Sequence, residues 1–349
     1  MRIFNNIDID NFRGLSHLEI KNFGDVNLFL GKNNIGKSTI LEAIFLLTGM
    51  SNPENPQRIN SIRDHLQPSS LETIKYLFHN MNTDNLPTFS ADLNNGTHRE
   101  LVMSVIRQKN INTDSLMSNF SNSFNGIELS FCVRNGETKS YQNIRFVGKD
   151  RIENRIDNNY TEKLTSLYLP ADMYDQSINN NIANIIKNRK KDSLVNLLRE
   201  FDNNIYTIEY LPEGIFIGYN NIKGLMPISM LGDGLRRYLC IISAIANEDN
   251  NIILLDEIDN GVHYSSYNTL WRNIFVLAKK YDKQLFVTTH SKEVLHSLYD
   301  TLNGENSLRD LASIYTIEQT NKGENKSYRF GFEGLEQAIE NNIEIRSLM

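Results

Sequence analysis

Apolar and polar residues alternate with a period of two over the first thirty positions, and the alternation breaks at Arg13-Gly14 and again at Gly24-Asp25. That pattern predicts three strands, Ile3–Asn11, Leu15–Lys21 and Val26–Leu30. The period then changes. After Thr39, the side chains Ile40, Leu41, Ile44 and Leu47 recur at helical spacing, which predicts a helix with one buried face ended by Gly49.

Residues 51–85 are polar and interrupted by proline, with one helix expected over Ser70–Asn80. Asn95-Gly96 and Asn135-Gly136 then each separate two alternating runs. Both residue types accept positive φ, so each pair predicts a hairpin. Between the hairpins, Ile111–Asn125 is rich in Ser and Asn and has the composition of a mobile connection. A short buried strand is expected over Ser166–Pro170, mainly helix over 173–203, and strands near Ile205–Tyr210 and Ile215–Tyr219. Met230–Arg237 opens a helix that runs to about Ala246. Asn251–Asp256 is an unbroken aliphatic run ending in an acid, the pattern of a central parallel strand buried on both faces. A helix at Tyr264–Lys280 follows, then strand Gln284–Thr289, helix Lys292–Leu302, strands Ala312–Gln319 and Tyr328–Phe330, and helix Phe332–Glu340. No internal repeat occurs, and no heptad persists over three repeats, so no coiled-coil arm is expected.

Composition narrows the class. Hydrophobic residues make up 40% of the 349, enough for a sizeable core, which excludes a mainly disordered chain. Thirty-six basic against 42 acidic residues leave a net charge of −6. A general polyanion binder is thereby disfavoured, while a local basic patch such as Lys187, Arg189, Lys190 and Lys191 is not. A basic run on a helix is more often a solvated face than a nucleic-acid site. The 47 Asn residues are scattered, as in a protein from an AT-rich genome rather than a prion-like tract. Cys132 and Cys240 stand far apart with no His or Cys at metal-ligand spacing, so neither a zinc site nor a disulfide framework is expected. No apolar run approaches the roughly 20 residues of a membrane span, and the N-terminus is strand-like rather than signal-like. A cytoplasmic location is expected.

The chemistry is concentrated in four places. Gly31-Lys-Asn-Asn-Ile-Gly-Lys-Ser38 matches the phosphate-loop pattern, with a strand before it and a helix after it. In such a loop the Gly31 and Gly36 positions, together with Asn33, Asn34 and Thr39, let backbone N–H groups turn around phosphates. The helix N-terminus adds its positive dipole end. Lys37 can then reach the β and γ phosphates, and the Ser38 hydroxyl can ligate Mg²⁺. Asp256, at the end of the aliphatic run, supplies the second metal ligand, and Glu257 beside it can polarise a water as general base. His290 ends the next strand and is a candidate sensor of the γ phosphate. His17, His65, His79, His98, His263 and His296 have no comparable placement. Finally, Gly232, Asp233 and Gly234 open a helix and form a second anion-binding end. One chain needs a single phosphate loop, so this end is assigned to the nucleotide of another copy.

Taken in order, these elements resemble the ABC-type ATPase heads of the SMC, RecF and OLD families, and most of all the OLD-like AAA ATPases. The resemblance is carried by Asn11-Phe-Arg-Gly14, Gly31–Thr39 with Leu41-Glu-Ala43, and Gly232-Asp-Gly234 with Arg236. It continues in Leu255–Gly261 with His263, Thr288-Thr-His-Ser291, and the tail from Tyr328 to Arg346. It covers about 1–50 and 225–349; the middle agrees only in general layout. The fold it implies is an α/β P-loop ATPase head of two lobes occupying 1–349. N-terminal strands and the phosphate loop fill 1–50, a β-hairpin-rich and helical insertion 51–225, and the signature, Walker B and His-switch lobe 226–349. It also implies a pair of heads around two ATP molecules, with Gly232–Gly234 on the opposite γ phosphate and Asp259-Asn-Gly261 sensing the other subunit. Leu231 stands where transporters usually carry Ser. No glutamine loop can be placed with conviction; Gln67 is the candidate. Neither long arms nor a C-terminal Toprim nuclease domain is present in the 349 residues.

The function this resemblance implies is a Mg-ATP-hydrolysing switch or scaffold that acts on a separate effector, with a nuclease as the candidate, in bacterial defence against phage. The alternative is a RecF-like DNA repair factor, against which the acidic balance and Thr288–Ser291 count. A transport ATPase fits less well, given the long strand-rich middle, and a non-catalytic scaffold least of all.

Overall fold

The computed structural model describes residues 2–64, 71–107, 124–147, 151–155, 160–171, 175–320 and 323–347. Strands β1 (Asn6–Phe12) and β2 (Leu15–Lys21) form an antiparallel hairpin. Strand β3 (Val26–Leu30) feeds the phosphate loop and helix α1 (Lys37–Thr48), followed by α2 (Asn55–Asp64). Strands β4 (Thr88–Asp92), β5 (Thr97–Arg107), β6 (Phe124–Asn135), β7 (Thr138–Val147) and β8 (Arg151–Arg155) join the first hairpin in a seven-stranded sheet of order β2-β1-β4-β5-β6-β7-β8. Both Asn-Gly hairpins form, with φ of 80° at Gly96 and 58° at Gly136.

The remaining elements are β9 (Ser166–Leu169), α3 (Asp175–Lys187), α4 (Lys191–Phe201), β10 (Ile205–Leu211), β11 (Gly214–Tyr219), β12 (Leu225–Pro227) and α5 (Asp233–Ala246). After them come β13 (Ile252–Leu255), α6 (Tyr267–Tyr281), β14 (Gln284–Thr288), α7 (Lys292–Gly304), β15 (Ala312–Gln319), β16 (Asn325–Phe330) and α8 (Phe332–Glu340). Strands β10, β11 and β12 make a small sheet of their own. The six-stranded sheet has the order β16-β15-β3-β14-β13-β9, parallel except for β16.

This second sheet is buried on both faces, which explains the aliphatic runs in its strands. Leu28, Ile253, Leu255, Leu285 and Val287 pack with Tyr238, Trp271 and Ile274 from α5 and α6. Phe29, Leu254, Phe286 and Tyr315 pack on the other side with Ile40, Ile44 and Leu47 of α1 and with the inner face of the seven-stranded sheet. Helix α1 is thus wedged between two sheets, and nearly all of it is buried.

Several expectations are corrected. The helix expected over Ser70–Asn80 is two 3₁₀ segments, Leu71–Leu77 and His79–Met81; Asn80 and Met81 lie in the left-handed region at φ of 52° and 57°. Strand β1 runs from Asn6 to Phe12 rather than from Ile3 to Asn11, because Phe4 makes only an isolated bridge, to Leu93. The basic run 187–191 is not one helix face. It spans the turn between α3 and α4, with Arg189 at φ 59°, and Lys190 and Lys191 are ion-paired with Glu248 and Glu209. Gln67 and residues 111–123 lie outside the described residues.

Candidate functional site

The site lies where the parallel strands end and α1 begins. Gly31 has φ of 153°, and a Cβ there would stand 2.8 Å from both the Ile317 carbonyl oxygen and Ile35 Cγ2. Gly36 caps α1 at φ 101°, with Leu15 Cδ2 2.7 Å from where a Cβ would be. Asn34 also holds positive φ, 62°. Only glycine fits the first two positions without displacing a neighbour, which is why the loop can close over its own backbone. Lys32, Asn33 and Asn34 are exposed, and Thr39 is buried at the first turn of the helix.

Lys37 Nζ donates to the carbonyls of Gly31 and Lys32, each at 2.9 Å. Burial pushes its amine pKa down, opposed by the carboxylates of Asp256, Glu257 and Asp259. A cation held over backbone carbonyls at the mouth of a helix N-terminus can exchange them for phosphate oxygens.

Across the loop, Asp256 follows the last residue of β13, with its N–H bonded to the Leu169 carbonyl at 2.9 Å. Among the described residues its carboxylate meets three hydroxyls. Ser38 donates to Oδ1 at 3.0 Å, Thr288 to Oδ1 at 2.6 Å and Tyr168 to Oδ2 at 3.1 Å. Burial, and then the charges of Asp256 and Glu42, raise the Tyr168 phenol well above its ordinary pKa, so it stays a donor. Ser38 and Asp256 pair a hydroxyl with a carboxylate at hydrogen-bonding distance. These are the hard oxygen donors that Mg²⁺ selects, and they fit it.

Glu257 lies in the left-handed region, at φ 46°; its N–H donates to Thr288 Oγ1 at 2.9 Å. The turn takes it out of the strand just past Asp256. Buried Arg237, from α5, donates to the carbonyls of Asp256 (2.5 Å), Glu257 (3.2 Å) and Pro170 (2.9 Å), fixing this turn from beneath. His290 follows β14 and is half exposed; its Nε2 lies 3.9 Å from Asp259 Oδ2, and its carbonyl accepts from Arg346 at 2.7 Å. Thr289 donates to Asp259 Oδ1 at 2.5 Å.

Thus Lys37, Ser38, Asp256, Glu257 and His290 gather beyond the C-terminal ends of β3, β13 and β14, inside the parallel sheet's breadth. Gly232, Asp233 and Gly234 stand apart at the start of α5. Gly232 is the N-cap, and a Cβ on Gly234 would lie 3.1 Å from the Gly261 carbonyl oxygen. Exposed Asp233 pairs with Arg236, three residues on. The start of α5 therefore packs against the Asp259–Gly261 loop of its own chain, while Gly232 and Asp233 are exposed. Sequence reasoning missed Tyr168 and Arg237, and it placed Arg346 only in the closing tail, without its contact to His290. Arg237 left one trace, a cation directly before the apolar stretch Tyr238–Ala246 of a helix. Tyr168 left none, since its partner is 88 residues away.

Comparison with known proteins bears on this geometry. A family model described as "AAA ATPase domain" matches residues 1–66, and one described as "AAA domain, putative AbiEii toxin, Type IV TA system" matches 170–296. The two matches carry the phosphate loop and the Asp256-Glu257 strand end respectively. The chain is an ATPase. A protein of Helicobacter pylori called "ATP/GTP phosphatase" is 26% identical over 360 aligned positions, covering 93% of this chain and 97% of that protein. Among solved structures, an SMC head bound to the C-terminal winged-helix domain of ScpA covers 97% of this chain and 100% of its own, with a TM-score of 0.51 at 14% identity. A second SMC head, with an extended coiled coil and bound to the C-terminal domain of ScpA derived from Pyrococcus furiosus, covers 99% and 100%, at 0.51 and 11%. The ATPase therefore has the α/β fold of an SMC head, and no long coiled coil occurs among its described residues. Among the described residues no helix is long and apolar enough to cross a membrane.

Proposed function

We propose that the chain is a Mg-ATP-driven switch that closes as a homodimer around ATP and passes its nucleotide state to a separate effector protein. The supporting observation is the Ser38–Asp256 hydrogen bond at the mouth of α1, with Lys37 held over the loop carbonyls beside it. In this reading Lys37 and the backbone of Gly31–Thr39 bind the phosphates, and Ser38 and Asp256 hold Mg²⁺. Bound Mg²⁺ would neutralise charge on the β and γ oxygens. Glu257 polarises the attacking water, and His290, steadied by Asp259 and Arg346, contacts the γ phosphate. The N-terminal end of α5, with Gly232, Asp233 and Gly234, supplies the opposite subunit's nucleotide with donors.

We assign 1–349 to one head, with 51–225 inserted between the phosphate-loop and signature segments. The sharing of β9 with the six-stranded sheet supports that assignment. A protein partner is in keeping with the ScpA-bound SMC heads of similar fold. A nuclease effector and defence against phage follow from the OLD-like resemblance, and a cytoplasmic setting is in keeping with two buried cysteines that are not joined in a disulfide. The pairing of Lys190 and Lys191 with acids speaks against DNA as the main ligand.

The test is solution mass with turnover blocked. Glu257→Gln protein is expected to run as a dimer with Mg-ATP and as a monomer without nucleotide. If it stays monomeric at saturating Mg-ATP, pairing around ATP is wrong.

A further inference from the structure

Strand β9 is the edge strand next to β13, in parallel register, with Tyr168 opposite Leu254 and Leu169 opposite Leu255. Side chains opposite each other in a parallel pair share a face, and residues two apart on a strand share it again. Tyr168, Leu254 and Asp256 therefore all face α1, where Ser38 begins the helix. The Tyr168 ring is clamped in this layer, edge-on to Phe45 with centroids 6.3 Å apart. Its phenol leans along the strand and spans the two-residue step, roughly 6–7 Å, that separates its level from the Asp256 carboxylate.

The three hydroxyls on Asp256 are not equivalent. Ser38 is itself assigned to the metal. Thr288 is shared, accepting the Glu257 N–H while donating to Oδ1. Tyr168 is the donor on Oδ2, and its place is set by the sheet rather than by either loop. With Oδ2 tied back, Oδ1 is the oxygen turned toward Ser38. A carboxylate free to rotate would present either oxygen and would lose orientational entropy on binding a cation.

We infer that Tyr168 is a positioning residue for the metal ligand Asp256, locking its carboxylate with Oδ1 toward Ser38 so that the cation site is formed before Mg²⁺ arrives. This rests on the reading of Ser38 and Asp256 as Mg²⁺ ligands. Groups that orient a metal ligand through a hydrogen bond commonly change metal affinity 10- to 100-fold when removed.

The experiment compares wild-type protein, Tyr168→Phe and Asp256→Asn, each full length, by titration with a fluorescent ATP analogue in EDTA and again over a series of MgCl₂ concentrations. Tyr168→Phe keeps the ring packing. It is expected to bind the analogue in EDTA as wild type does, and to need about tenfold more Mg²⁺ for the metal-dependent gain in affinity. The Mg²⁺ concentration giving half-maximal ATP hydrolysis should move by the same factor. Should Tyr168→Phe gain affinity at the wild-type Mg²⁺ concentration while Asp256→Asn loses the gain, the inference about Tyr168 fails and the reading of Asp256 stands. Should Asp256→Asn keep the gain, the reading of the metal site itself is wrong. A Tyr168→Phe protein that also binds poorly in EDTA, or that melts well below wild type, overturns the inference too, because the hydroxyl would then support the strand.

Discussion

Glu42 lies almost wholly buried on α1 between two guanidinium groups. Arg13 Nε is 2.8 Å from Oε2, and Arg63 binds both oxygens at 2.6 and 3.0 Å while its Nη2 also reaches Thr39. One acid thus ties the β1–β2 turn and α2 to the first turns of the phosphate-loop helix. Removing the charge leaves two cations facing each other, and breaking a buried ion pair from one side costs about 3–5 kcal/mol. Glu42→Gln is expected to lower stability by about that amount in urea titration; a change under about 1 kcal/mol would mean the triad carries little. His17 works differently. Its hydrogen bond to Asp10, helped by the charges of Asp8, Asp10 and Glu19, raises its pKa above 6.5 against the effect of burial. A raised folded pKa stabilises fully below 6.5 and fades as pH rises through the folded value. The His17 ring should therefore titrate above 6.5 by NMR, and His17→Asn should flatten the loss of stability on the alkaline side of that value.

At the scale of elements, each loop around the nucleotide site is fastened by a side chain from another element. Arg237 of α5 holds the Asp256-Glu257 turn, and Arg346 holds the loop after β14 through the His290 carbonyl. Arg346 is itself locked by both oxygens of Glu344, which Lys292 also engages at 2.9 Å. These cations keep the Glu344 carboxyl far below the usual carboxylate range. Arg346→Ala frees the loop without touching the phosphate loop. It should lower kcat about three- to tenfold and leave KM for ATP within about threefold. An unchanged kcat would show that His290 needs no such support.

The whole molecule is organised by the six-stranded sheet, which contributes one face to each of the two hydrophobic cores. That arrangement brings the N-terminal loop and the C-terminal strand ends together and leaves Gly232 and Asp233 at the start of α5 exposed. Two copies are needed to complete a site in the proposed dimer. Lys37→Ala and Asp233→Ala proteins should each be nearly inactive. Mixed in equal amounts, they should recover about a quarter of the wild-type rate, since half of the dimers would hold one intact site of two. A mixture no faster than its parts would exclude sites shared between chains.

The phosphate loop was legible because its chemistry is local: eight consecutive residues specify the turn, the lysine and the start of the helix. The strands of the parallel sheet were legible because burial on both faces forces an aliphatic run. The pairing of the basic run 187–191 was not legible, because Lys190 and Lys191 meet acids 58 and 18 residues away, at Glu248 and Glu209. Tyr168 was invisible for the same physical reason, and the contacts of Arg237 and Arg346 with distant carbonyls could not be read from their neighbours in sequence. Sequence alone determined most of the strands and helices and where the phosphate-loop pattern begins, since periodicity and loop glycines act over a few residues. Only the tertiary structure decided that β9 lies beside β13, that the Tyr168 hydroxyl meets Asp256 and that the start of α5 is exposed, because strand pairing and hydrogen bonding join residues that the chain keeps far apart.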